Sequence, residues 1–339
     1  MQPMSTKNNS LNTESPMKLL VLIPAYNEED SISQVIENIM VTCKDFSPTV
    51  LVIDDGSTDN TRMLAAEAGA IVKSHTDNRG VGSAFTTGLN EALEMGADVL
   101  VNIDADGQFS PDQIPLMIAP ILNGEADFVS GNRFENELGE IRKPENMSAI
   151  KYWGNQRMSR LISILTGKKY TDVSCGFRAY SKEAMLRLNL TGKFTYTQET
   201  FLDLANKGLT IQSVPVDVKY FPDRKSRVAK RIGHYAYRTI NIILRAYRDY
   251  RPLRFFVTLG SLPLIIGLAC SIFILIHYIQ YGTFTPYKVI GLIGVYLVSL
   301  AIILWIIGVL ADMFVRLRLN QEQILYYQKR EKYSHLEKE

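Results

Sequence analysis

Apolar positions in the first half of the chain follow two alternating rhythms. Short β-branched runs read as strands buried on both faces: Leu19 to Ile23, Val50 to Ile53, Ala70 to Lys73, Val99 onward, and Ala126 to Ser130. Between them the spacing is helical. From Asp30 to Thr42, Ile32, Val35, Ile36, Ile39 and Met40 form one stripe. A second helix stops at Gly69, and a third runs from Gly82 to Met95 and is closed by Gly96. Ser110-Pro111-Asp112-Gln113 carries a helix-start signal, with Ser as N-cap, Pro at N1 and Gln at N3. A further strand is expected over Ile211 to Tyr220. This βα series predicts an α/β fold with a mostly parallel, Rossmann-like sheet and helices on both faces.

The second half has a different texture. Phe255 to Ile279 is an uncharged apolar stretch of 25 residues, and Val289 to Ala311 is another of spanning length. Ten Lys or Arg and one acid, Asp249, lie between Arg224 and Arg254. Such a basic, aromatic run suits nucleic acid, but the spans that follow assign it to a membrane surface instead. Cations before the first span and after the second place both ends in the cytoplasm, with residues 280–288 as a short external hairpin. The expected organisation is therefore a disordered polar tail over 1–16 and a catalytic domain over 17–229. A basic juxtamembrane helix follows over 230–254, then a two-helix transmembrane hairpin within 255–315 (spans 255–279 and 289–311), then a charged tail over 316–339. The protein is expected in the cell membrane, multi-pass, with its catalytic domain cytoplasmic. The tail reads as a solvated helix or a homo-oligomer contact. Residues 147–165 mix Trp153, Ile150 and Leu161 with Lys151, Arg157 and Arg160, which suits either a core helix or one lying in a membrane interface.

A net charge of +2 excludes little, and Cys43, Cys175 and Cys270 lack any paired spacing. The four histidines show no zinc-ligand pattern. Chemistry gathers instead where the predicted strands end: Pro24-Ala25-Tyr26-Asn27-Glu28, Asp54-Asp55, Asp104-Ala105-Asp106 and Gly131-Asn132-Arg133. Ligands bind beyond the carboxyl ends of parallel strands. Asp104 and Asp106 are two residues apart on an extended segment and point the same way. They are either turn residues or ligands of Mg²⁺ or Mn²⁺, with Gln108 adding a carbonyl oxygen. No G-x-G-x-x-G follows the first strand, which argues against a dinucleotide fold.

In order, Ile23-Pro24-Ala25-Tyr26-Asn27-Glu28-Glu29, Asp54-Asp55-Gly56-Ser57-Thr58-Asp59, Asp104-Ala105-Asp106-Gly107-Gln108, Gly131-Asn132-Arg133, Ser174-Cys175-Gly176-Phe177-Arg178, Gln198-Glu199 and Arg224-Lys225-Ser226-Arg227 resemble family 2 glycosyltransferases of the GT-A fold. The nearest likeness is to the dolichol-phosphate mannose synthase group of polyprenyl-phosphate glycosyltransferases. The resemblance implies that Pro24, Tyr26, Glu28, Asp54, Asp55, Arg79 and Asp104 hold a GDP- or UDP-linked sugar. It implies a divalent ion on Asp104, Asp106 and Gln108, and catalytic roles for Asp106, Arg133, Arg178 and Glu199. Lys151, Asn155, Arg224 and Arg227 would meet the phosphate of a polyprenyl (dolichyl or undecaprenyl) acceptor. Arg133 reads alternatively as an ion-pair partner, and Glu199 as a helix-start residue. Relatives usually carry a glycine within the last motif and often a lysine at its end, where this chain has Lys225 and Arg227. The expected function is inverting transfer to a lipid phosphate. The rivals are a related membrane transferase with another lipid or glycan acceptor, and a non-catalytic membrane adaptor.

Overall fold

Leu19 to Ile23 has no polar side chain to turn toward water, so the strand it forms must be covered on both faces. A computed structural model, describing residues 17–190, 196–220 and 247–334, shows it inside a seven-stranded sheet. The strands are β1 (Leu19–Ala25), β2 (Thr49–Asp54), β3 (Ile71–Ser74), β4 (Val99–Asn102), β5 (Phe128–Asn132), β6 (Arg178–Ser181) and β7 (Ile211–Pro215), in the order β3-β2-β1-β4-β6-β5-β7. All pairings are parallel except those of β6, which runs antiparallel between β4 and β5. The sheet is the mostly parallel, mixed arrangement expected, with one strand, β6, that the hydrophobic rhythm does not reveal.

Helices α1 (Ile32–Thr42), α2 (Thr61–Glu67), α3 (Val81–Glu94) and α4 (Ile114–Leu122) alternate with the strands, and α5 (Ala149–Thr166), α6 (Lys182–Arg187) and α7 (Tyr196–Asn206) follow. Ile32, Val35, Ile36 and Ile39 of α1 are buried, as their spacing requires. Two local expectations fail. Ser110 is extended ahead of a 3₁₀ turn but makes no capping bond through its side chain. Gln113 is drawn instead to Asp217, donating to its carbonyl at 3.1 Å and accepting from its N–H at 2.7 Å. The last strand stops at Pro215, which has no N–H for the ladder, leaving an isolated bridge between Phe109 and Val218.

The chain divides into two compact units. One holds the sheet, with residues up to Tyr152 and Thr171–Tyr220; the other holds Trp153–Tyr170 and Phe221–Lys332. In the second unit lie α8 (Pro252–Tyr281) and α9 (Lys288–Ser334), both long and apolar enough to cross a membrane. The connection between them is residues 282–287, shorter than the apolar pattern suggests, because both helices overrun their uncharged stretches. Gly267 and Gly294 let these helices touch backbone to backbone: a Cβ on Gly267 would lie 2.9 Å from the Gly294 carbonyl oxygen. Arg251 donates to the Leu165 carbonyl at 2.8 Å, a cation placed on the C-terminal turn of α5. Residues 1–16, most of the 230–254 segment and the end of the tail from 335 lie outside the described residues.

Candidate functional site

Side chains from the ends of β1 to β4 meet on one edge of the sheet, laced by hydrogen bonds that the sequence encodes as short polar residues. Asn27 adopts φ 54°, a conformation that asparagine tolerates, and its Oδ1 accepts from Thr58 N–H at 2.8 Å. Ser57 Oγ accepts from Asn27 N–H at 3.0 Å, and Thr61 Oγ1 from Glu28 N–H at 2.8 Å. The end of β1 and the turn after it, with Pro24, Tyr26 and Glu28, are thereby fixed to the end of β2 and its turn, with Asp54 and Asp55.

Both of those aspartates are buried. Asp54 accepts from Ser57 N–H at 2.9 Å. Asp55 accepts from the backbone N–H groups of Arg79 at 3.0 Å and Gly80 at 2.7 Å, and pairs with His75 Nδ1 at 2.7 Å. The far side of the His75 ring meets Thr87 Oγ1 at 3.0 Å. Asp55 thus shapes the Arg79-Gly80 turn. His75 belongs to this network, although its isolated position in the sequence gives no hint of it.

Beyond β4 comes the acidic pair. Asp106 Oδ1 accepts from Gln108 N–H at 3.0 Å across a turn made at Gly107, φ 70°. That bond gives Asp106 a turn role as well as a carboxylate facing its neighbour. The Gln108 carbonyl accepts from Lys219 N–H at 2.9 Å, and Ser31 Oγ donates to the Ala105 carbonyl at 2.8 Å, so the turn is held from both sides. Asp104 rests on the backbone of Gly176, where a Cβ would stand 2.8 Å from its Oδ2. This contact explains the glycine in Ser174-Cys175-Gly176-Phe177-Arg178: any larger residue displaces the carboxylate.

Burial, followed by the like charge of Asp106, pushes Asp104 up from 3.8 to about 7; Arg133 and Arg178 pull it down and Glu28 adds to the rise. Asp104, Asp106, Glu28, Arg133 and Arg178 therefore share one electrostatic neighbourhood. Among the described residues no three His, Cys, Asp or Glu form a closed metal cage. Two neighbouring carboxylates outside any closed cage are the donor set of an ion that takes one or two carboxylates and completes its shell with substrate phosphates. Mg²⁺ and Mn²⁺ fit that description.

Arg133 faces Asp172, which begins the 172–180 segment expected at the sugar end of the site, a pairing that the sequence does not disclose. Its Nε and Nη2 donate to the two carboxylate oxygens at 2.7 and 3.0 Å, and Nη1 donates to Tyr220 Oη at 3.0 Å. Burial opposes the charge on Arg133, but the Asp172 carboxylate holds its pKa well above the ordinary arginine value. The Arg133–Asp172 ion pair is largely buried rather than superficial. Arg178 is completely buried among the rings of Phe128, Tyr196 and Phe201 and donates to the Cys175 and Val173 carbonyls at 2.7 and 3.1 Å. It braces the 172–177 loop from behind. Gln198 donates to Ser174 Oγ at 3.2 Å from the first turn of α7, with Glu199 beside it. Lys151 and Asn155 lie one turn apart on α5, the first exposed and the second half-buried. Arg224 and Arg227 lie outside the described residues.

Residues 20–188 match the model described as Glycosyl transferase family 2. The chain is 36% identical over 222 residues to a UDP-N-acetylglucosamine--dolichyl-phosphate N-acetylglucosaminyltransferase of Methanococcus voltae, covering 60% of this chain and 86% of that protein. It is 29% identical over 226 residues to a polyprenol monophosphomannose synthase of Mycolicibacterium smegmatis, covering 64% and 82%. Among solved structures, a glucosyl-3-phosphoglycerate synthase from Mycobacterium tuberculosis is similar in fold, with a TM-score of 0.51 and 24% identity over 68% of this chain and 80% of that one.

Proposed function

The chain belongs to glycosyl transferase family 2, and we propose that it moves a sugar from a nucleoside-diphosphate sugar to a polyprenyl phosphate at the cytoplasmic face of a membrane. The observation that carries this reading is one chain joining an acidic pair at the edge of its sheet to two helices apolar enough to span a bilayer. A polyisoprenoid cannot leave the bilayer, so its phosphate must be met at the surface. The two named relatives above act, by their names, on dolichyl phosphate and as a polyprenol monophosphomannose synthase. The exposed face of α5, with Ile150, Trp153 and Ile164 beside Arg157 and Arg160, suits a helix lying in the interface.

Asp104 and Asp106 would hold Mg²⁺ or Mn²⁺, which neutralises charge on the leaving diphosphate when bound. The rest is done by the protein. Asp55, set by His75, fixes the turn at Arg79 and Gly80 on the nucleotide side. Arg178 and the Arg133–Asp172 pair hold the loop that seats Asp104. A lipid phosphate is already anionic near neutral pH, so no side chain needs to remove a proton from the acceptor. Its oxygen attacks the anomeric carbon as the bond to the nucleoside diphosphate breaks, inverting that centre. Lys151 and Asn155 stand one helical turn apart, a spacing that can grip one phosphate.

The test is acceptor chemistry. Purified full-length protein is incubated with Mn²⁺, a panel of GDP- and UDP-sugars, and either polyprenyl phosphate or the corresponding polyprenol. A mass gain of one glycosyl unit on the phosphate alone supports the proposal. Gain on the alcohol, or on neither lipid with every donor, refutes it.

A further inference from the structure

Helix α9 runs unbroken for 47 residues. About 20 residues suffice to cross the hydrocarbon core, so on the two-span reading above the half of the helix after residue 311 stands at or beyond the membrane surface. Exposure in that half follows the helical period, and the open side carries apolar residues. The side carrying Arg318, Glu322 and Tyr326 is covered, with Arg318 paired to Glu322 at 3.2 Å and set over the Tyr250 ring at 5.2 Å. The opposite side presents Met313, Leu317, Asn320, Ile324 and Tyr327 to solvent. Met313, Leu317, Ile324 and Tyr327 are 57%, 58%, 58% and 60% exposed. Their spacing alternates four and three residues, which is the heptad seam of a coiled coil. The same rhythm runs back into the span through Leu310, Ile306 and Ile303, all exposed. Lipid covers that upper part, but a helix that leaves the bilayer without a break carries Ile324 and Tyr327 beyond its reach.

We propose that a second copy of this chain covers the stripe, forming a parallel, in-register two-stranded coiled coil through Met313 to Tyr327. Two copies leave the bilayer at the same level and in the same direction, so each seam residue faces its own counterpart. The flanking residues raise no charge conflict in that register. Arg316 and Gln323 of one helix face the partner's Gln321 and the partner's Gln328, so no like charges oppose across the seam. Asn320, at a d position of this heptad, meets the partner's Asn320 only when the helices are parallel and unshifted, and a shifted register sets it against an apolar side chain.

Cysteine scanning of the full chain in native membranes tests this. The background carries Cys270→Ser, since Cys43 and Cys175 are buried. Under mild oxidation, Asn320→Cys, Ile324→Cys and Tyr327→Cys should form disulfide-linked dimers, and Leu319→Cys and Glu322→Cys should not. Equal cross-linking at every position, or none at any, overturns the proposal. As a second measurement, the double variant Ile324→Glu/Tyr327→Glu should halve the particle mass in detergent, and a persisting dimer overturns the seam. A chain recovered from the soluble fraction would defeat the two-span reading and this one with it; a membrane-bound monomer defeats only the dimer.

Discussion

Replacing Asp104 with asparagine separates the electrostatic strain of the site from its chemistry. In the folded chain Asp104 releases its proton at about 7 rather than 3.8, through burial and then the charge of Asp106. Between these values the folded state holds a proton that the unfolded chain has lost. Stability must therefore fall as pH rises through that window and level off above about 7. Three units correspond to roughly 4 kcal/mol at most. Asp104 is half-buried, and solvent screening reduces this to about 1–2 kcal/mol. Asp104→Asn keeps the shape and removes the charge. At pH 8 without divalent cations the variant should unfold about 2–6 °C above the wild type, and the gap should close near pH 4. Thermal unfolding in detergent across that range measures it directly. Adding Mn²⁺ at pH 8 should then raise the melting temperature of the wild type and leave the variant unchanged. A variant no more stable than the wild type at pH 8, or a gap that ignores pH, refutes the picture of a strained Asp104 beside Asp106.

Asp172→Ala strands a buried guanidinium and should cost about 3–5 kcal/mol in chemical denaturation, with much of it recovered by the double variant Arg133→Met/Asp172→Leu. A loss under 1 kcal/mol would show that the pair is solvated. Gly176→Ala sets a Cβ against the Asp104 carboxylate; the variant should fold, by circular dichroism, yet turn over at least about tenfold more slowly. His75→Ala frees one side of Asp55 and should raise KM for the nucleotide sugar while kcat and KM for the lipid hold steady. A fall in kcat alone would place His75 elsewhere in the mechanism.

Most of the sheet was legible because its strands are continuous apolar runs and their order follows the βα rhythm. Strand β6 was not: Arg178–Ser181 is four residues long, begins with an arginine, and finds its place only through antiparallel partners far away in sequence. The acidic pair stood out because the turn after the buried strand uses one carboxylate, Asp106, and leaves Asp104 without a local role. The pairings of Asp172 and His75 gave no such signal, since each acquires its role from a partner that folding delivers: Arg133, 39 residues away, and Asp55, 20 residues away. The Ser110 signal misled because Gln113, its reciprocal partner, bonds more closely to Asp217. The continuity of α9 was equally hidden. Asp312–Arg316 and Arg318–Glu322 pairs carry the helix through the change from apolar to charged sequence.

The most direct measurement compares wild type with Asp106→Ala in glycosyl transfer to polyprenyl phosphate, each with Mn²⁺ and again with excess chelator. The wild type should form the glycosylated lipid phosphate with Mn²⁺ and lose that activity in chelator, and the variant should form none in either condition. Full activity in the variant, or a wild type indifferent to the chelator, would contradict a divalent ion held by the acidic pair.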